Sequence, residues 1–245
     1  MELGQDSLYF FIIIFGGALT QGFTGFGFSL ICLPVLFLIF DPKLIIFLTV
    51  LPGCFTAITN FIFMRGSVPW KEISGFFSWL VVGVVVGGIA FPYIPVVVVK
   101  TLLWLMLCYS LGSRTIFGKN AFLSNSTFCG LSAGIGQGTI GAPGPAAVSY
   151  ALSQDWAEHK KKSALAAILC FSCLLRLGIY LTLPEMHHLS IWIYGSICIP
   201  IIFVGIFIGQ KIGKKLSEPM MKKAIDIFLV IFIVTLGFEI IKSLF

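Results

Sequence analysis

Apolar runs long enough to cross a bilayer recur from one end of the chain to the other, and they constrain the fold more tightly than any other feature. A helix rises about 1.5 Å per residue and the hydrocarbon core is about 30 Å thick, so roughly 20 apolar residues make one span. Six plain runs of this kind stand at Leu44–Phe63, Ile73–Pro92, Lys100–Ile116, Ala164–Leu183, Ile191–Gly209 and Lys223–Ile241. With 58% apolar residues, 11% charged residues and a mean hydropathy of +1.04, no stretch is left over for a soluble domain. Residues 1–245 therefore predict an all-α polytopic membrane protein with a single transmembrane domain. The leading residues MELGQDS carry acids in place of a basic n-region, so the first apolar segment is expected to stay in the mature chain.

Two further blocks, Leu8–Phe40 and Ala121–Leu152, are too long for one span and are cut in the middle by glycine. Each half of a block is about 11 to 13 apolar residues, a length that suits a re-entrant half-helix. At an offset of 111 residues, Gly25, Gly27 and Pro34 fall on Gly136, Gly138 and Pro145. Further on, Gly83 and Gly87 match Gly205 and Gly209. The chain thus reads as two repeats, about 8–117 and about 121–245, each a Gly-broken re-entrant helical hairpin plus three transmembrane helices. Three crossings per repeat make the second repeat inverted relative to the first.

The formal net charge of +6 sits in short loops, above all Lys160, Lys161, Lys162, Lys211, Lys214 and Lys215, which is the positive-inside pattern rather than a nucleic-acid surface. With both blocks folded as hairpins, 12 basic loop residues lie on one side and 3, Lys43, Lys100 and Lys242, on the other. A single crossing by the first block gives the same split, so charge decides only the second block; with symmetry making the first a hairpin too, both termini are expected outside the cytoplasm.

Paired breaks at membrane depth point to a central site, because freed backbone groups must face protein or a water-filled cavity. New half-helices are expected to begin near Phe28 and Ser29 and near Ala142 to Gly144. Their N–H groups and positive dipole ends suit a small anion. The candidate binding residues on the first block are Gln21, Thr24, Gly25, Gly27, Phe28 and Ser29. Those on the second are Gly136, Gln137, Gly138, Thr139, Gly141, Ala142 and Gly144. Arg176, the basic residue deepest inside a span, either faces the cavity or snorkels outward, and Asn60 is its counterpart at an offset of 116.

The seven cysteines lie in or beside apolar segments and form no disulfide framework. Cys170 and Cys173 make a CxxC, and Cys54 matches Cys170 at 116 residues, which keeps a membrane thiol-redox protein as the alternative to a carrier. A third class is a scaffold that moves nothing, in which the glycines serve packing alone. His159, His187 and His188 show no metal-ligand spacing. No metal, cofactor or catalytic residue is expected.

The run Gly22 to Pro34, GFTGFGFSLICLP, and the motif Gly-x-Gly-x-x-Gly-x-Pro-Gly-Pro from Gly136 to Pro145 resemble the TauE/SafE sulfite exporter family over nearly the full chain. That resemblance implies export of sulfite or organosulfonates across the bacterial cytoplasmic membrane. Family blocks often carry three consecutive glycines where this chain has Gly27, Phe28 and Ser29, so the substrate stays open. The implied partners are a small anionic substrate, the lipid bilayer, a coupling proton or sodium ion, and a second copy in a homodimer.

Overall fold

The structure, a computed structural model, describes residues 7–64, 68–115, 125–213 and 218–244. Arg65, Lys119, Lys214, Lys215 and the first residues of the second block, 121–124, lie outside the described residues. All regular elements among the described residues are helical. They are α1 (Ser7–Thr24), α2 (Phe28–Ile39), α3 (Pro42–Leu48), α4 (Val50–Met64), α5 (Trp70–Ala90), α6 (Val96–Thr115), α7 (Ser126–Ile140), α8 (Gly144–Ser153), α9 (Glu158–Tyr180), α10 (Leu189–Gly213) and α11 (Glu218–Leu244). Single 3-10 turns follow α5 and α9.

Helices α1, α5, α9 and α10 are each long and apolar enough to cross a bilayer, and α3 with α4 adds one bent span. The molecule is a multi-pass membrane protein. Five of the six plain runs match single helices, α5, α6, α9, α10 and α11, within a few residues at most ends. The sixth, Leu44–Phe63, is not plain: it bends by 44° between α3 and α4. Pro52 has no N–H for the carbonyl four residues back, at Leu48, and its ring crowds that carbonyl, so the helix yields at Thr49. Thr49 Oγ1 bonds Ile45 O at 2.8 Å across the joint. Upstream, Asp41 caps α3 by accepting from Leu44 N at 2.9 Å, with Pro42 in the first turn.

The broken blocks fold back on themselves, but unequally. Helix α1 has 18 residues and α7 has 15, both longer than the expected half-helices, while α2 and α8 have 12 and 10. Helix α2 returns along α1, so that Cys32 Sγ donates to Ile13 O at 3.3 Å. Helix α8 likewise returns along α7: Tyr150 stacks on Phe76 at 4.6 Å, and Phe76 also backs Gly130 near the start of α7. Asn125 starts α7 by accepting from Thr127 N at 2.9 Å and Phe128 N at 3.2 Å.

The long arms of the blocks pack on spans of the other half of the chain, α7 on α5 and α1 on α10, through small residues. A Cβ on Gly87 would sit 2.9 Å from Ile135 O and 3.3 Å from Gly138 Cα. A Cβ on Gly209 would meet Leu19 and Gly22 in the same way. Backbones this close exclude side chains and replace lipid contact by helix contact. The matching partners, Leu19 with Ile135 and Gly22 with Gly138, lie 116 residues apart.

Gly138 therefore belongs to a helix contact: its Cβ would lie 2.5 Å from Val84 O and 2.7 Å from Gly88 N, both backbone atoms that cannot swing away. Gly138→Ala is expected to destabilise the protein by about 1 to 3 kcal/mol, the range for overpacking. Gly53→Ala, where nothing lies within 4 Å, should keep or raise stability. Thermal unfolding of both variants in detergent checks the contrast.

Candidate functional site

The first break spans Gly25 to Gly27, with Gly25 at φ 81° and Gly27 at φ 122°. Such backbone favours glycine, and it points the end of α1 away from its own axis. Three side chains brace it. Gln21 donates from Nε2 to Gly25 O at 3.2 Å and accepts at Oε1 from Phe28 N at 3.0 Å. Asn60 Nδ2 donates to the same Gly25 O at 2.8 Å. Thr24 Oγ1 donates to Thr20 O at 2.8 Å and lies against Phe26.

The second break lies at Gly141, φ 74°, and not at Gly136 and Gly138, which stay inside α7. Gly141 N bonds Gln137 O at 3.1 Å and Ala142 N bonds Gly136 O at 3.1 Å, so the left-handed turn satisfies the last carbonyls of α7. Gly25 N bonds Gln21 O in the same manner at 2.8 Å. Gly25 and Gln21 therefore take the same backbone roles as Gly141 and Gln137, at a spacing of 116 residues and not 111.

The breaks meet. Ser29, in the first turn of α2, donates from Oγ to Gly141 O at 2.5 Å. Around this junction lies a cavity with about 640 Å³ of empty space, part of it open, lined from α1, α2, α4, the α7–α8 turn and α9. Nine predicted site residues line it: Gln21, Gly27, Phe28, Ser29, Gln137, Gly141, Ala142, Gly144 and Arg176. Gly25, Thr24 and Asn60 stand behind them, bracing the turn. Gly136 and Gly138 face neighbouring helices, at Met106 and at the α5 backbone, and Thr139 Oγ1 turns back onto α7, bonding Ile135 O at 2.7 Å.

Arg176 does not snorkel. It is 5% exposed, donates from Nη2 to Ile46 O at 3.2 Å, lies 4.5 Å over the Tyr180 ring and rests against Gly141. Tyr180 is itself fixed, donating to Gly138 O and Thr139 O at 3.0 Å each. Arg176 Nε and Gln137 Oε1 are buried without a partner. Among the described residues lining the cavity, Arg176 is the one formal charge.

The sequence reading missed the opposite wall: Thr49, Gly53, Cys54, Thr56 and Ala57 from α4 and its approach, with Leu169 and Cys173 from α9. A signal existed. Leu169, Cys173 and Arg176 stand at i, i+4 and i+7, so a cavity-facing arginine would have carried the other two with it. Cys54 Sγ donates to Cys173 O at 3.3 Å, and Gln137 Nε2 donates to Cys173 Sγ at 3.2 Å. Cys170, the other half of the CxxC, is buried outside the lining.

Removing a brace should loosen the first break. Gln21→Ala orphans Phe28 N and one bond to Gly25 O, and is expected to lower stability by about 1 to 3 kcal/mol, more than Asn60→Ala, which leaves Gly25 O one donor. Thermal unfolding in detergent reads the difference.

The sequence matches the family described as Sulfite exporter TauE/SafE over residues 9–236. Comparison with curated proteins and with solved structures found no match.

Proposed function

The chain belongs to the sulfite exporter TauE/SafE family, and from that premise we propose that it is a secondary transporter carrying sulfite or an organosulfonate outward across the bacterial cytoplasmic membrane. One observation carries the site: where the two chain breaks meet, a buried guanidinium lines a cavity and keeps an unpartnered Nε. A buried donor left without a partner costs about 1 to 3 kcal/mol, more when charged, so such a group marks a place for a ligand. Beside it, the first turns of α2 and α8 offer N–H groups that have no helical acceptor.

The breaks at Gly25 and Gly141, with Gln21 and Gln137 beside them and the crossed pairings of α1 with α10 and α7 with α5, support an inverted repeat of a hairpin and three spans. An anion held between two such repeats is exposed to either side by rocking one against the other. A proton or sodium gradient would drive the cycle, and a homodimer is compatible with the apolar outer faces.

Substrate transport should respond to the cavity and not to the packing glycines. A side chain at Gly144 meets nothing within 4 Å, so Gly144→Leu is expected to fill the cavity and abolish uptake in a folded protein. Arg176→Gln should weaken binding about tenfold to a hundredfold, the value of a charge-assisted hydrogen bond. Proteoliposomes given labelled sulfite or methanesulfonate under imposed proton or sodium gradients test both. Parental rates in both variants would sink the proposed site.

The positive-inside split supports Lys160 to Lys162 in the cytoplasm and, with both blocks as hairpins, both termini outside. Two contacts support a common outer end: Lys43 Nζ donates to Pro92 O at 3.0 Å and Lys100 pairs with Glu239 at 2.8 Å. On a cysteine-free background, His188→Cys should react with an impermeant thiol reagent added to intact cells, while Lys161→Cys should not. The reverse labelling would invert the orientation.

A further inference from the structure

We infer that the cavity selects a monovalent oxyanion, hydrogen sulfite or a sulfonate, and rejects the sulfite and sulfate dianions. This rests on the anion-transport reading and adds the charge state of the substrate. A buried anion must be matched by charge and donors, because low-dielectric surroundings penalise any uncompensated charge. The lining supplies one guanidinium and, among its described residues, no lysine, histidine or carboxylate.

Helix dipoles do not raise that total. At each break a helix C-terminus, of α1 or α7, lies beside a helix N-terminus, of α2 or α8, so the partial charges oppose. The remaining donors are neutral: Phe28 N is taken by Gln21 Oε1 and Pro143 and Pro145 have no N–H, which leaves the first-turn N–H groups of Ser29 and Leu30 on α2 and of Gly144 and Ala146 on α8. Arg176 already donates to Ile46 O.

Gln137 adds a second selector. Its Oε1, buried and without a partner, is an acceptor that opposes negative charge placed beside it, more strongly for a dianion than for hydrogen sulfite or a sulfonate. The titratable groups that face Arg176 and the cavity are Cys54 on α4 and Cys173 and Tyr180 on α9, while α1, α2, α7 and α8 contribute none to the lining.

The test is equilibrium binding to the full chain in detergent, with sulfite and methanesulfonate titrated from about pH 6 to about pH 9. Methanesulfonate is a monoanion throughout, whereas sulfite loses its last proton near neutrality. Affinity for total sulfite should fall about tenfold per pH unit above that ionisation, as expected when one protonated form binds. Methanesulfonate should stay level, and excess sulfate should displace neither. Sulfite affinity that holds or rises with pH, or displacement by sulfate as effective as by methanesulfonate, overturns the inference while leaving an anion site. A fall shared by methanesulfonate assigns the titration to a group of the protein and overturns it too. If neither anion binds at any pH, the anion site itself fails and the inference with it.

Discussion

A peptide group that loses its helical partner away from water costs several kcal/mol, and the two glycine-broken blocks interrupt their helices at Gly25 to Gly27 and at Gly141. Everything near the cavity follows from how those groups are satisfied. The carbonyl of Gly25 takes two amide donors, from Gln21 and Asn60. The carbonyl of Gly141 takes the Ser29 hydroxyl, and the carbonyls before it are closed by the turn. Because Ser29 belongs to the other broken block, satisfying one break ties it to the other. The cavity is the space left where two satisfied turns cannot close on each other.

The glycine-lined helix contacts hold those turns in place. Apolar side chains gain nothing by leaving lipid for one another, so close backbone approach is what binds spans together. Helix α7 lies on α5 through Gly83, Gly87, Gly134 and Gly138, and α1 lies on α10 through Gly22, Gly205 and Gly209. Each long arm of a broken block is thereby fixed to a span from the other half of the chain. The short arms, α2 and α8, carry the cavity-facing first turns at the ends of those supports.

The long helices α5, α9 and α10, the existence of two breaks and the starts of α2 and α8 are legible because apolar length and the places of glycine and proline set them. The position of the second break is not. Gly134, Gly136, Gly138 and Gly141 stand close together, and composition does not distinguish a glycine needed for positive φ from one needed for close packing. Only the partners decide: Gly138 lies against the α5 backbone, whereas Gly141 turns left-handed beside a guanidinium. Identity alone pairs Gly136 with Gly25, whereas Asn60 with Arg176 and Cys54 with Cys170 stand at 116 residues. The bend at Thr49 was equally available, through Pro52, but an unbroken apolar run concealed it.

In the proposed anion site one arginine suffices, and the spacing of 116 residues shows why. Asn60 and Arg176 occupy matching places, each beside the glycine that ends the long arm of a block. Asn60 is neutral and donates to the glycine carbonyl, so the first break is closed by its own neighbour. Arg176 leaves the Gly141 carbonyl to Ser29 and holds Ile46 O with one nitrogen. Its Nε then has no protein acceptor. A second arginine in place of Asn60 would put two buried guanidinium groups around one junction, each needing an anion to offset its desolvation. With an amide at one break and a guanidinium at the other, the first braces its turn and the second leaves a charged donor without a protein acceptor at the same junction.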